Sequence, residues 1–245
     1  MLEPVSTGII VAKEAAEKAA LAINESLKLS EIVKAGMERL KTAEINKVKD
    51  LYRNPSENVK ANYNHLFRAV DSAKSNPELR ASLMNRMMTE PNLIGQMGEY
   101  HAEQTLSQHG SFERQIAIPT ERGTFRVDFA GKLTENMPVK SYTLKDGMLK
   151  STSEVVKAGE KIGVEVKNGL YEIRQNLDHV INQALAAKEI TGNGFIGISQ
   201  SMMETISKNP EAYSNFFQSA EENGIRIIVT QPTISQQIAN ISSMI

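Results

Sequence analysis

The chain has no cysteine, no tryptophan, few other aromatics, almost no net charge and no long apolar run. Each absence removes a class of chemistry. Without cysteine there are no disulfides, no thiolate nucleophile and no cysteine-ligated zinc. A formal net charge of -1 over 245 residues argues against a coating or histone-like protein, whose whole surface is basic; a local basic groove remains compatible with it. No stretch approaches the ~18 apolar residues that mark a membrane-spanning helix. The opening Thr7 to Lys13 is too short, and too soon charged, for a secretory apolar core. Aromatic residues at 5% leave little from which to build a stacking platform for single strands. No Ser-His-Asp order and no phosphate-cradling glycine loop stands out, and Gly192-Asn193-Gly194 reads as a turn between a helix and a strand. His65, His101, His109 and His179 show no metal-ligand spacing, with His179 held in reserve as a substrate contact.

What is present divides near residue 90. Residues 1–90 are rich in Ala, Leu, Lys and Glu and poor in Gly and Pro, which favours helix. Ile32, Val33, Met37 and Leu40 recur at helical spacing, as do Leu66, Val70 and Ala73. Asn54-Pro55-Ser56-Glu57 and Ser75-Asn76-Pro77-Glu78 read as capped helix starts, with proline early and an acid in the first turn. The expectation is an all-helical N-terminal domain over 1–90, used for entry, positioning or interaction, and a mixed domain over 91–245. In the second part the pattern predicts a helix over 93–108, strands over 112–119 and 124–130 joined as a hairpin, and a polar, turn-rich stretch over 131–160 with a tip at Lys145-Asp146-Gly147. A third strand over 161–167, one long helix over 172–191, a buried strand over 194–199, a helix from Asn209 to about Asn223 and a last strand over 225–230 follow. The tail beyond Pro232 reads as a short helix. The class is α+β with a mixed sheet.

The chemistry concentrates in Gly163-Val164-Glu165-Val166-Lys167-Asn168-Gly169. Side chains two apart on a strand share a face roughly 7 Å apart, so Glu165 and Lys167 project together while Val164 and Val166 enter a core. Charge in an otherwise buried strand is costly, so such a strand either faces water or builds a site. In Phe125-Arg126-Val127-Asp128-Phe129 the two Phe and Val127 share the apolar face and Asp128 opposes them. Hard cations such as Mg²⁺ take oxygen ligands, commonly one or two carboxylates. Asp128 and Glu165 on adjacent strands supply them, and Lys167 beside them neutralises developing negative charge or orients a water. Taken singly, Glu165 and Lys167 make an ordinary surface pair, Asp128 an ion pair with Arg126 or Arg114, and Glu99 a solvated helix acid.

Together these residues resemble the PD-(D/E)XK nuclease superfamily, which has a restriction-endonuclease-like fold with an αβββαβ core. The likeness covers about residues 91–230. It implies that Asp128 is the first motif residue, with Val127 where the family often has proline, and that Glu165-Val166-Lys167 is the second. The acid on the preceding helix is then Glu99 in Gly95-Gln96-Met97-Gly98-Glu99, with Glu103 one turn later as the substitute. The family's glutamine on the helix after the second motif falls on Gln175, near the helix start, or on Gln183, flanking its apolar stripe. The resemblance implies a metal-dependent nuclease, with Asp128, Glu165 and Glu99 as metal ligands and Mg²⁺ as the default ion, Mn²⁺ or Zn²⁺ being alternatives.

A helical segment before a compact catalytic domain is also similar in layout to the nuclease tips of bacterial polymorphic toxins, including those of contact-dependent growth inhibition systems. That likeness implies delivery from the surface of a neighbouring cell, action in the bacterial cytoplasm, a cognate immunity protein as partner, and a native start upstream of Met1. The nucleic-acid substrate is DNA slightly ahead of tRNA. A repair, recombination or restriction nuclease and a non-catalytic binding protein on the same fold are the alternatives. The polar stretch 131–160 is a candidate to line the substrate groove, with Lys140, Lys145, Lys150 and Lys157 as candidates for phosphate contact or, alternatively, ordinary solvated loop lysines.

Overall fold

The structure is a computed structural model and describes residues 55–245. The helical pattern of Ile32, Val33, Met37 and Leu40 lies outside the described residues. Four helices come first: α1 (Glu57–Asn62), α2 (Asn64–Lys74), α3 (Pro77–Thr89) and α4 (Pro91–Leu106). The two capped starts form as the residues dictate. The Ser56 hydroxyl accepts from the Val59 N–H, and the Asn76 side chain accepts from the Glu78 and Leu79 N–H groups with Pro77 in the first turn.

The division expected at residue 90 is not where the chain divides: one compact unit runs from Ser56 to Ile245. The reason is an aromatic contact. Tyr63, just before α2, and Phe67 within it meet Tyr100 of α4 edge-on, with ring centroids 5.4 and 5.6 Å apart, and the Gln96 side chain accepts the Leu66 N–H at 2.9 Å. Burying a side chain of this size stabilises by about 1.5–3 kcal/mol, so α2 is held to α4 and does not form a separate body.

The sheet has β1 (Gly110–Thr120), β2 (Gly123–Leu133), β3 (Met137–Lys145), β4 (Met148–Val156), β5 (Lys161–Lys167), β6 (Gly194–Ser199) and β7 (Arg226–Gln231). The class is α+β as expected: a seven-stranded mixed sheet in the order β1-β2-β5-β6-β7-β3-β4, with nine α-helices among the described residues. β1, β2 and β5 run antiparallel, β5, β6 and β7 parallel, and β3 and β4 antiparallel at the far side. The remaining helices are α5 (Leu170–Gln175), α6 (Leu177–Thr191), α7 (Gln200–Lys208), α8 (Ser214–Glu222) and α9 (Ile234–Ser242). No helix among the described residues is long and apolar enough to cross a membrane.

Three features refine or correct the expectations. The hairpin tip at Lys145-Asp146-Gly147 forms as expected, with Asp146 and Gly147 at φ 53 and 71, the backbone of a two-residue hairpin loop, but the polar stretch around it is made of two regular strands, β3 and β4. Its polar residues fit an outer pair of strands, and β3 docks on β7 through Ser141 and Tyr142. The single helix expected over 172–191 breaks at Asn176, whose backbone leaves the helical region, so that α5 and α6 can lie in different directions. Helix α7 was not anticipated. Ser199 caps it by accepting the Met202 N–H, and Met202, Met203 and Ile206 bury its apolar side.

Helices α4 and α6 cover opposite faces. Gly163 closes on Ala187 of α6 so tightly that an added Cβ would lie 2.6 Å from the alanine methyl. Its neighbour Val164 packs instead with Ala102 and Leu106 of α4. The β1–β2 hairpin changes faces along its length. Phe112, Phe129 and Leu133 pack on the α4 side, whereas Ile116, Ile118, Phe125 and Val127 pack with Ala186 and Ala187 of α6. Phe125, Val127 and Phe129 therefore do not share one apolar face as expected. The change falls at Gln115, whose φ of 51 breaks the alternation of β1.

A second close approach joins the end of β5 to α4 and α9. Asn168 donates to the Ile94 carbonyl at 2.8 Å and exchanges two hydrogen bonds with the Gln237 amide at 2.9 and 3.1 Å. A Cβ on Gly98 would sit 2.4 Å from the Asn168 Cβ, a position that real atoms do not tolerate. Gly98→Ala is expected to destabilise the protein by about 1–3 kcal/mol through overpacking, read as a lower urea midpoint. A variant that unfolds at the wild-type midpoint would show that α4 is not pinned here.

Candidate functional site

The ladder between β2 and β5 runs from Lys132↔Lys161 to Phe129↔Val164 and stops. The next pair in that register would be Asp128 and Glu165, and there the strands part. The Val166 N–H, left without a ladder partner on this side, is taken by Asp128 Oδ2 at 2.8 Å. A cavity of about 390 Å³ opens at the parting, lined by Glu99, Gln115, Asp128, Glu165, Lys167, Glu172 and Gln183 among others.

The expected residues meet here. Glu165 and Lys167 project together as the alternation requires, with Nζ 2.7 Å from Oε1, while Val164 and Val166 enter the core on the α4 side. Glu99 reaches the cavity from α4. Its Oε2 accepts from Arg114 at 3.1 Å and from Gln115 at 3.2 Å. Glu103 does not line the cavity; it sits behind Arg114, 3.5 Å from that guanidinium, and accepts the Tyr63 hydroxyl at 2.6 Å. Arg114 itself lies over the Tyr63 ring, 4.1 Å from its centroid. Of the two glutamines, Gln183 is buried and lines the cavity. It donates to the Arg126 carbonyl at 2.7 Å and turns its oxygen to Lys167 Nζ at 3.5 Å. Gln175 is exposed on α5 and is not among the lining residues.

Two residues at the site were not anticipated. Glu172, at the start of α5, holds Lys167 Nζ at 2.7 Å; only its distance of five residues from Lys167 hinted at it. Gln115 donates to Asp128 Oδ1 at 2.7 Å as well as to Glu99, and its one sequence signal is a hairpin position opposite Asp128. The four hairpin lysines are elsewhere. Lys140, Lys145, Lys150 and Lys157 do not line the cavity: the first three lie on β3 and β4, beyond β6 and β7 from β5, and Lys157 lies in the connection from β4 to β5. His179 lies beside Phe125, not in the cavity, and His101 is buried on α4 near the Gln237 carbonyl.

The electrostatics are those of crowded acids. Four carboxylates line the cavity with one ammonium, that of Lys167. Burial above all, and the neighbouring Asp128 charge, push Glu99 up to about 7 and Glu165 well above the ordinary carboxylate range. Burial raises Asp128 too, against the pull of Lys167 and the Val166 N–H. Burial works to discharge Lys167, but Glu165 and Asp128 overcome it and hold the ammonium above its usual value. One ammonium neutralises one carboxylate. The Arg114 guanidinium offsets Glu99 from behind, and the acids still outnumber the cations.

No protein-family model, curated protein or solved structure matches this chain.

Oxygen donors of this kind suit a hard divalent cation, and one observation fits such an ion directly: Glu165 Oε2 is fully buried with no hydrogen-bond partner. As the side chains stand, no three His, Asp or Glu among the described residues are gathered closely enough to enclose an ion, and the Gln115 amide lies between Glu99 and Asp128. Asp128, Glu165 and Glu99 are the side chains that would hold it.

Glu99 gives a pH dependence whose sign is fixed. In the unfolded chain a glutamate ionises near 4.5; in the folded protein Glu99 keeps its proton to about 7. The folded state then binds more protons between those values, so stability is full below about 4.5 and falls as pH rises through 7. Urea unfolding in EDTA at pH 5 and pH 8 should show this loss. Glu99→Gln should reduce it by on the order of 2 kcal/mol. Equal losses in both proteins would mean that Glu99 is not held protonated.

Proposed function

We propose that this protein is a divalent-metal-dependent nuclease that hydrolyses phosphodiester bonds, with DNA ahead of tRNA as substrate. The observation that carries the reading is the convergence of Asp128, Glu165 and Lys167 with Glu99 at the parting of β2 and β5, where Glu165 leaves a buried oxygen unpaired. The order α4-β1-β2-β5-α6-β6, with those four strands adjacent in that sequence in the sheet, supports the αβββαβ core of a restriction-endonuclease-like fold once the β3–β4 hairpin is read as an insertion.

The residues divide the work as follows. Asp128, Glu165 and Glu99 would hold the cation. When bound, a divalent ion lowers the pKa of water and stabilises charge on a phosphoryl oxygen. Lys167 is kept charged and aimed by Glu165, Glu172 and Gln183, so its ammonium can meet negative charge that develops on the phosphate. Pro91, Ile94 and Gly95 form part of the cavity wall beside Glu99.

The toxin reading rests on layout. Because α1–α3 belong to the compact unit, any preceding delivery segment lies before Ser56. On this reading the immunity protein blocks the cavity mouth, and the site acts in the cytoplasm of the recipient cell.

The test is cleavage of plasmid DNA and total tRNA by the full chain with Mg²⁺, Mn²⁺ or EDTA. Cleavage should require the ion and fall about a hundredfold or more in Asp128→Ala, Glu165→Gln and Lys167→Ala, each checked for folding. Activity that survives all three substitutions would remove the site from consideration. No cleavage of either substrate by folded wild type with any ion would favour a binding protein on the same fold.

A further inference from the structure

Gln115 is out of place as a strand residue. The β1–β2 register passes from Arg114↔Phe129 to Ile116↔Val127 and omits it. Its φ of 51 lies in the left-handed region, where a side chain is strained and glycine is not. Glycine would relieve that strain and lose the amide. The amide is engaged at both ends of a gap: Nε2 lies 2.7 Å from Asp128 Oδ1 and 3.2 Å from Glu99 Oε2. Two N–H groups on one nitrogen are thus directed at two acids, between which a cation would sit.

We propose that Gln115 is a placeholder for the divalent cation. Its amide nitrogen fills the seat between Glu99 and Asp128 in the ion-free protein and is displaced when the ion binds. The inference rests on the reading of this cavity as a metal centre. It accounts for two facts together. The acids are not gathered into a group that could enclose an ion because the amide is wedged between two of them. Glu99, paired from behind with the Arg114 guanidinium, and Asp128, which has no direct cationic partner of its own, each receive a further donor from the amide. A neutral donor suits the task, since a dication outcompetes it, whereas a lysine at this position would hold the seat permanently.

The measurement is Mn²⁺ binding by calorimetry to the full chain in wild type, Gln115→Ala and Gln115→Gly, with thermal unfolding in EDTA and in Mn²⁺. Removing two hydrogen bonds that the ion must otherwise break should tighten Mn²⁺ binding about tenfold or more in both variants. Gln115→Ala should also melt below wild type in EDTA and gain more from Mn²⁺. The glycine variant separates the backbone from the amide: it should melt above the alanine variant while sharing its tightened binding. Wild-type binding that is equalled or weakened in both variants overturns the placeholder, since the amide is then a bystander or itself a ligand. If folded wild type and both variants all fail to bind Mn²⁺, the metal-centre reading falls and this inference with it.

Discussion

The arrangement depends on one hydrogen bond, from the Val166 N–H to Asp128 Oδ2. A sheet must pair its buried backbone groups, and β2 and β5 stop pairing at Phe129↔Val164. If the strands simply separated, the Val166 amide would be buried and orphaned at a cost of about 1–3 kcal/mol. Asp128 removes that cost and allows the parting. The parting makes the cavity, and Glu165 and Lys167 line it at the end of an otherwise closed strand. Asp128 is therefore a structural cap and a site residue at once. Its carboxylate is fixed through the backbone of the strand that carries the other two groups.

The same economy holds around the cavity. Gln183 is fixed by the Arg126 carbonyl, Asn168 by the Ile94 carbonyl and Arg114 by the Tyr63 ring. Site side chains on regular elements, locked by packing and by hydrogen bonds of this kind, hold their geometry better than side chains on loops. The Arg114 contact extends this support to α2. Tyr63 backs the guanidinium that pairs with Glu99, so residues before position 90 belong to the scaffold of the site.

Much of the site was legible because a charge in an apolar strand is a conflict that shows in the sequence. Asp128, Glu165 and Lys167 each interrupt a hydrophobic strand, and five of the seven strands, β1, β2, β5, β6 and β7, follow from alternation, apolar runs and turns, whereas β3 and β4 are hidden in a polar stretch. Other features leave no such trace. Glu99 and Glu103 are one turn apart on one helix, and only Arg114, stacked on Tyr63, separates their roles. Gln175 and Gln183 could not be ranked until the helix broke at Asn176 and turned the first away. The hairpin lysines misled because outer strands and loops share a polar composition. The change of face in β1–β2 was invisible for a different reason. Hydrophobic alternation continues through Phe112, Ile116 and Ile118 while the backbone at Gln115 reverses which helix those residues meet. A glutamine in a strand carries no conflict of its own; its φ does.

Charge ties the proposed substrate to the proposed ion. Two unit charges 4 Å apart interact by about 4 kcal/mol at an effective dielectric of 20, and four carboxylates line this cavity. A phosphodiester entering it alone would meet repulsion that Lys167 offsets only in part, since its ammonium is already shared by Glu165 and Glu172. Protonation relieves the acids but leaves them unable to bind a cation. A divalent ion relieves them and reverses the field at the cavity mouth. On the proposed function, then, cation and phosphate do not bind independently: the acids that make the empty site inhospitable to a polyanion are those that make the loaded site attract one. The crowding of acids, which costs the folded state stability above neutral pH, is thereby the source of the binding order.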